Sequence, residues 1–129
     1  MMRILVVDDY PTAAQATCLL LAMLGHETRS ASSGKDALAV ATEFDPDVII
    51  LDIGLPDLSG YQVARELRLR PGKRPYIAAM TGWGTTSDRV QSLAAGIDQH
   101  VVKPADVDKM HHIIDSAIAF SDRDGRDRA

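Results

Sequence analysis

The chain has 129 residues, enough for one ordinary domain and too few for two. Its hydrophobic content of 46% is typical of a globular protein, and its net charge of −4 argues against a nucleic-acid binder. The one cysteine, Cys18, excludes an internal disulfide, and no apolar stretch is long enough to span a membrane. The start, Met-Met-Arg, leads into a short apolar run and not a signal peptide, so we expect a cytoplasmic protein.

Short apolar segments alternate along the chain with amphipathic segments. The runs at 4–7 and 48–51 are unbroken, as expected of strands covered on both faces. Pro11 predicts a helix start, Gly25 its stop, and Ser33 the cap of the next helix. The predicted strands span residues 4–7, 27–31, 48–51, 76–80 and 99–102. The predicted helices run from 11 to about 24, from the Ser33 cap to about 43, after Gly60 to about 69, through Val90, Leu93 and Ala94, and from about 105 to 120.

The last predicted helix places five apolar residues at helical spacing. The residues expected to face inward are Val107, Met110, Ile114, Ala117 and Ile118. The residues after the helix are polar. We therefore predict a domain over residues 1–120 and a frayed tail over 121–129.

Five βα units predict an α/β fold, in which a doubly wound parallel sheet lies between two layers of helices. With right-handed crossovers, the flavodoxin-like strand order 2-1-3-4-5 is the common one at this size. Ligands of such sheets bind beyond the carboxyl ends of the strands, where the winding reverses between strands 1 and 3.

Reactive side chains stand at the ends of four predicted strands. They are Asp8 and Asp9 after strand 1, Asp52 after strand 3, Thr81 after strand 4 and Lys103 after strand 5. Three carboxylates at one switch point repel each other, and Lys103 together with a hard divalent ion such as Mg²⁺ would relieve this repulsion. Taken singly, Asp9 could cap a helix, Asp52 and Thr81 could belong to turns, and Lys103 could be an exposed strand end. A shared site explains all of them with one cause.

With these motifs, the chain resembles the response-regulator receiver family over about residues 3 to 120. The resemblance rests on ILVVDD at 4–9, VIILDIGLPDLSGYQVARELR at 48–68, MTG at 80–82 and VVKP at 101–104. It implies a phosphoacceptor that catalyses its own phosphorylation and slow dephosphorylation and is not otherwise an enzyme. The phosphoryl group would come from a histidine kinase or a histidine phosphotransfer protein. The sequence is most similar to receivers attached to hybrid histidine kinases, and we expect this one to stand alone.

The resemblance also implies a set of Mg²⁺ ligands. Asp52 would be the phosphoacceptor and a metal ligand. Asp9 would bind the ion directly, and Asp8 mainly through water. The backbone carbonyl of Gly54 would be the third protein ligand.

A further group of residues would read the phosphorylated state. Thr81 would bond to a phosphoryl oxygen, and Lys103 would pair with Asp52 and the phosphoryl group. The family usually has Tyr or Phe three residues before this lysine, where this chain has His100; His100 is either a switch residue or a half-exposed packing residue. Trp83 either faces a partner or covers its loop, and Pro104 follows a peptide bond that is cis in many members. The surface expected to change comprises the fourth helix, the fifth strand and the fifth helix.

Two rival functions fit the sequence less well. A haloacid-dehalogenase-like phosphatase also uses an Asp nucleophile after a strand with Mg²⁺, but it requires a second Asp where Gly54 stands. A degenerate receiver used as a scaffold would lack an acid, the threonine or the lysine, and none is missing. The expected partners are the phosphodonor and a downstream protein target, with no nucleic acid and no membrane. The expected assembly is a monomer or weak dimer.

Overall fold

The computed structural model describes residues 1–82, 90, 94–103 and 106–123, with residues 122 and 123 described by their backbone alone. Within these residues the chain forms one five-stranded parallel sheet in the order β2-β1-β3-β4-β5. The strands are β1 (Arg3–Val7), β2 (Glu27–Ala31), β3 (Val48–Asp52), β4 (Tyr76–Thr81) and β5 (Gln99–Val102). The predicted fold class and strand order are confirmed.

The first three helices begin where local chemistry favours a helix start. The described helices are α1 (Pro11–Met23), α2 (Gly34–Phe44), α3 (Gly60–Leu69) and the C-terminal helix (Val107–Arg123). Pro11 opens α1, and the Ser33 hydroxyl caps α2 by accepting the amide of Asp36 at 3.1 Å. Ser59 and Gln62 form a reciprocal capping box at the start of α3.

The core has two halves, one on each face of the sheet. Alternate residues of each strand point to opposite faces, so Ile4 and Val6 pack with α1 and the C-terminal helix, while Leu5 and Val7 pack with α2 and α3. Cys18 is half-buried against the first of these halves. Because the strands are buried on both faces, β1 and β3 read as unbroken apolar runs in the sequence.

The C-terminal helix differs from its prediction in extent and in facing. It ends at Arg123 and buries Ser121, so ordered chain continues past residue 120. Val107 and Ile118 were predicted to face inward and are 47% and 37% exposed, whereas Ile113 is fully buried. Val107 is the first residue of the helix, and Ile118 lies about 100° around the axis from the buried Ala117.

Of the fourth predicted helix, the structure describes Val90 and Ala94, both exposed helical residues. Leu93 and residues 124–129 of the predicted tail lie outside the described residues. None of the described helices is both long enough and apolar enough to cross a membrane.

His26, which follows α1, should make stability depend on pH. Its Nδ1 accepts the backbone N–H of Met2 at 3.1 Å, which requires the neutral ring. Burial lowers the pKa of His26 below 6.5, and the N-terminal ammonium lowers it further. The folded protein therefore binds a proton less readily here than the unfolded chain. The neutral His26 therefore contributes fully to the free energy of unfolding above about pH 6.5. This contribution is lost as the pH falls through the pKa of His26 in the folded protein.

Lowering the pH from about 7.5 to about 5 should reduce the free energy of unfolding of the wild type more than that of His26→Gln. Urea unfolding at the two pH values measures this difference. His112→Gln, a change at an exposed histidine of the C-terminal helix, is the control and should retain the wild-type difference. Equal pH dependence in the His26→Gln variant and the wild type would show that this hydrogen bond is not responsible.

Candidate functional site

Three carboxylates meet at the carboxyl edge of the sheet. Because β1 and β3 are hydrogen-bonded neighbours, the residues that follow β1 lie beside the last residue of β3. Carboxylate oxygens of Asp8, Asp9 and Asp52 all lie within 4.8 Å of one another. The structure thus brings the predicted acidic residues together at the point where the winding of the sheet reverses.

Asp8 is the carboxylate whose environment most opposes its charge. Burial raises the pKa of Asp8, and the negative charges of Asp52 and Asp9 raise it further. The amide of Tyr10, which donates to Asp8 Oδ1 at 2.9 Å, and the Lys103 ammonium lower it in part. A cation bound at the cluster would remove this penalty.

Asp9 does not cap α1. The N-cap of this helix is Tyr10, and no side chain makes a capping hydrogen bond there. The Asp9 side chain is exposed within the cluster of carboxylates. The capping interpretation of Asp9 is therefore wrong.

Asp52 is the last residue of β3, and its side chain is 12% exposed. Its Oδ1 accepts the amide of Gly54 at 3.1 Å, and its Oδ2 lies 3.2 Å from the Lys103 ammonium. The same ammonium is 3.9 Å from Asp8 Oδ2. Lys103 therefore pairs with both of the more buried carboxylates across the sheet and is not merely an exposed strand end.

Thr81 and His100 lie on the same face of the sheet. Thr81 is the last residue of β4 and is 8% exposed, and its carbonyl accepts the Lys103 amide at 2.7 Å. His100 is opposite Ala79 in the β4–β5 ladder and is half-buried, with its Nε2 away from solvent. Ala79, Thr81 and His100 point away from the C-terminal helix, because the intervening Met80 and Val101 pack toward it.

Two predicted residues cannot be placed. Trp83 and Pro104 lie outside the described residues, as does most of the fourth predicted helix. Their predicted contributions to switching and to the strand 5 turn stay predictions.

A cavity of about 470 Å³ opens beside the cluster. The residues that line it include Asp8, Asp52 and Lys103 of the site and the small side chains of Ala13, Ala16 and Thr17 on α1. The space beside Asp52 is thus bounded on one side by α1.

The donor set suits a hard divalent cation. Magnesium binds oxygen atoms at about 2.0–2.1 Å, so the oxygens around one ion lie up to about 4 Å apart, close to the spacing of this cluster. Magnesium sites also need only one or two carboxylates, with water or phosphate oxygens supplying the other ligands. The acidic cluster therefore fits Mg²⁺.

Asp57 is a residue beside the site that the sequence did not reveal. It lies in the loop between β3 and α3, and its carboxylate accepts the amides of Gly34 and Lys35 at 2.8 and 3.0 Å. In the sequence, Pro56-Asp57 is typical of a turn, and nothing local points to a helix that begins 23 residues earlier.

Comparison with known proteins agrees with this geometry. The model of one protein family, described as the response regulator receiver domain, matches residues 4–115. This chain belongs to the response regulator receiver family. The family's members are phosphoacceptors of two-component systems and are generally not classed as enzymes.

Relatives of this receiver include both curated proteins and solved structures. It is 39% identical over 109 residues to the transcriptional regulatory protein KdpE of Mycobacterium tuberculosis. The aligned part is 84% of this chain and 47% of KdpE. A CheY-like receiver domain from Methanospirillum hungatei superposes with a TM-score of 0.86 at 27% identity, covering 96% of this chain and 98% of that one. The response regulator TrrA of Thermotoga maritima, solved in complex with Mg²⁺-BeF, superposes with a TM-score of 0.80 at 32% identity, covering 91% and 99%.

The receiver spans between 25% and 52% of the length of the first curated relatives it matches. What those longer proteins do as a whole therefore bears on this chain only as a proposal.

Proposed function

We propose that this receiver accepts a phosphoryl group on Asp52, in a reaction that depends on Mg²⁺, from a histidine kinase or a histidine phosphotransfer protein. The observation that carries the proposal is the position of the Asp52 carboxylate, which lies 3.2 Å from the Lys103 ammonium and beside two further carboxylates. The complex of the similar protein TrrA with Mg²⁺-BeF supports it.

The chemistry is a displacement at phosphorus. A carboxylate oxygen of Asp52 forms the new P–O bond, the P–N bond of the donor phosphohistidine breaks, and its electron pair stays on the imidazole nitrogen. Such transfers depend on positioning and on charge neutralisation. Lys103 offers one positive charge at Asp52, and bound Mg²⁺ would add a second through Asp8, Asp9 and the Gly54 carbonyl.

Phosphorylation would switch the face of the sheet that carries Thr81 and His100. The phosphoryl group adds about two negative charges and new acceptor oxygens beyond β3. The hydroxyl of Thr81, at the end of the adjacent β4, is placed to respond, and His100 lies on the same face. The changed surface would comprise the fourth predicted helix, β5 and the C-terminal helix, and would control a protein partner or relay the phosphate.

The phosphodonor would dock along α1. Tyr10, Leu19 and Met23 are exposed by 65%, 64% and 76%, and exposed large apolar side chains mark interaction surfaces. The cavity beside Asp52 opens on the same helix. The net charge of −4 remains the reason to predict that this receiver does not itself bind nucleic acid.

Acetyl phosphate, a small phosphodonor, tests the acceptor assignment. With Mg²⁺, the wild type should gain one phosphoryl group by intact mass spectrometry, and Asp52→Asn should gain none, because the attacking oxygen is lost. Asp115→Asn, a change at an exposed position of the C-terminal helix, is the matched control and should be labelled like the wild type. Equal labelling of the Asp52→Asn variant, or labelling of the wild type that persists in excess chelator, would contradict the proposal.

A further inference from the structure

The loop between β3 and α3 carries the main chain of the proposed metal site. We call residues 53–59 the acceptor loop. Within it, the amide of Gly54 donates to Asp52 Oδ1 at 3.1 Å, and the carbonyl of Gly54 is a proposed Mg²⁺ ligand. The position of this one residue therefore affects both the acceptor carboxylate and the metal.

At its base the acceptor loop is closed against the end of β3. The Gly60 amide donates to the Ile53 carbonyl at 3.0 Å. A Cβ atom on Gly60 would lie 2.8 Å from Ile53 Cα and 2.9 Å from the carbonyl oxygen of Asp52. The two ends of the loop are thus in direct contact, and the part that contains Gly54 extends beyond them.

The far part of the loop is attached to a different element, the start of α2. Both carboxylate oxygens of Asp57 are engaged there, Oδ1 with the Gly34 amide at 2.8 Å and Oδ2 with the Lys35 amide at 3.0 Å. These backbone hydrogen bonds lower the pKa of Asp57 to about 2, so its carboxylate stays ionised at neutral pH. Ser33 takes the next amide, that of Asp36, so the first turn of α2 is capped in part by a residue of another segment.

Packing reinforces this attachment. A Cβ atom on Gly34 would lie 2.7 Å from Leu58 Cβ and 3.1 Å from Val63 Cγ2, so the approach of loop and helix requires glycine. Leu55 and Leu58 of the acceptor loop also pack against the core half that contains α2 and α3. Side-chain packing and the two hydrogen bonds therefore hold the loop at the same place.

We propose that Asp57 is a positioning residue: by anchoring the acceptor loop to the start of α2, it holds Gly54 against Asp52 and so strengthens Mg²⁺ binding and speeds phosphorylation. This inference rests on the proposed function. Because Asp57 connects the acceptor loop to α2, a displacement of the first turn of α2 would also weaken Mg²⁺ binding.

The test compares Asp57→Ala with Asp36→Ala. Asp36 is, like Asp57, an exposed carboxylate that caps a backbone amide at the start of α2, but the amide it accepts is that of Ser32, in its own segment and not in the acceptor loop. Calorimetric titration with Mg²⁺ alone should show about 10-fold weaker binding for Asp57→Ala, as is typical when a residue that orients a metal ligand is removed. Asp36→Ala should bind within about twofold of the wild type, whatever its change in stability.

Two further measurements separate positioning from general stability. The amide NMR signal of Gly54 should shift in Asp57→Ala and stay in place in Asp36→Ala. Phosphorylation by acetyl phosphate at subsaturating Mg²⁺ should slow in Asp57→Ala only. If Asp57→Ala does not fold, Asp57→Asn takes its place in the same comparison. Wild-type Mg²⁺ affinity with an unmoved Gly54 signal in the Asp57 variant would overturn the inference.

Asp9→Ala separates this failure from failure of the proposed function. If the wild type does not bind Mg²⁺, or if Asp9→Ala binds it equally well, the metal site itself is wrong. If Asp9→Ala loses binding while the Asp57 variant keeps it, the metal site stands and Asp57 serves only as a helix cap.

Discussion

Replacing Lys103 with Met should slow phosphorylation of Asp52 by acetyl phosphate about 10²–10³-fold, the usual effect of removing a preorganised donor from a developing charge. The Lys103 ammonium lies 3.2 Å from Asp52 and 3.9 Å from Asp8, so it neutralises charge where the phosphoryl oxygens would arrive. Met keeps most of the side-chain length without the charge. The measurement is the initial rate of mass gain at saturating Mg²⁺.

Lys35→Met is the matched control for this variant. Lys35 is exposed on the first turn of α2, and Lys35→Met removes the same charge while keeping the backbone amide that Asp57 accepts. Its phosphorylation rate should equal that of the wild type. A Lys103→Met rate within a fewfold of the Lys35→Met rate would mean that Lys103 does not assist the transfer.

Replacing Arg68 with Ala should lower the free energy of unfolding by about 2–3 kcal/mol, because it removes a charged donor from three part-buried acceptors. The Arg68 guanidinium donates to the carbonyls of Gly96 and Pro75 at 2.8 and 3.1 Å and to the Asp98 carboxylate at 2.7 Å. The side chains of Arg68 and Asp98 are only 15% and 13% exposed. The variant would leave two carbonyls and a carboxylate without this donor, and urea unfolding would report the loss.

Arg65→Ala is the control for Arg68→Ala because it removes the same side chain from an exposed position of α3. Its unfolding free energy should stay within about 0.5 kcal/mol of the wild type. Should the two variants unfold at the same urea concentration, the network around Arg68 would contribute nothing beyond an ordinary surface arginine.

Much of this fold can be predicted because its signals are local. Pro11 and Ser33 act on the backbone within a few residues of themselves, and both helix starts are confirmed. The cluster of Asp8, Asp9 and Asp52 could also be anticipated, since parallel strands present their carboxyl ends at one edge and the strand order makes β1 and β3 neighbours.

The prediction failed where burial depends on the neighbour and not on the pattern. Val107 and Ile118 are apolar at helical spacing, yet they lie at the edge of the buried face of the helix, which is centred near Met110 and Ala117. An apolar stripe locates such a face only to within about a residue on either side, because successive residues are about 100° apart. The sequence gives no local sign that Arg68, near the end of α3, is half-buried; only its contact with Asp98, 30 residues away, shows this.

The sequence by itself determined the five strands, their order and the acidic edge, because strand periodicity is a property of short segments and right-handed parallel connections leave few strand orders. The tertiary structure alone decided which residues hold that edge in place. Asp57 contacts the start of α2 across 23 residues, whereas the pairing of Lys103 with Asp52 was already expected from the sequence. Hydrogen bonds like those of Asp57 depend on how separate segments pack together, so the residues around either partner in the sequence do not predict them.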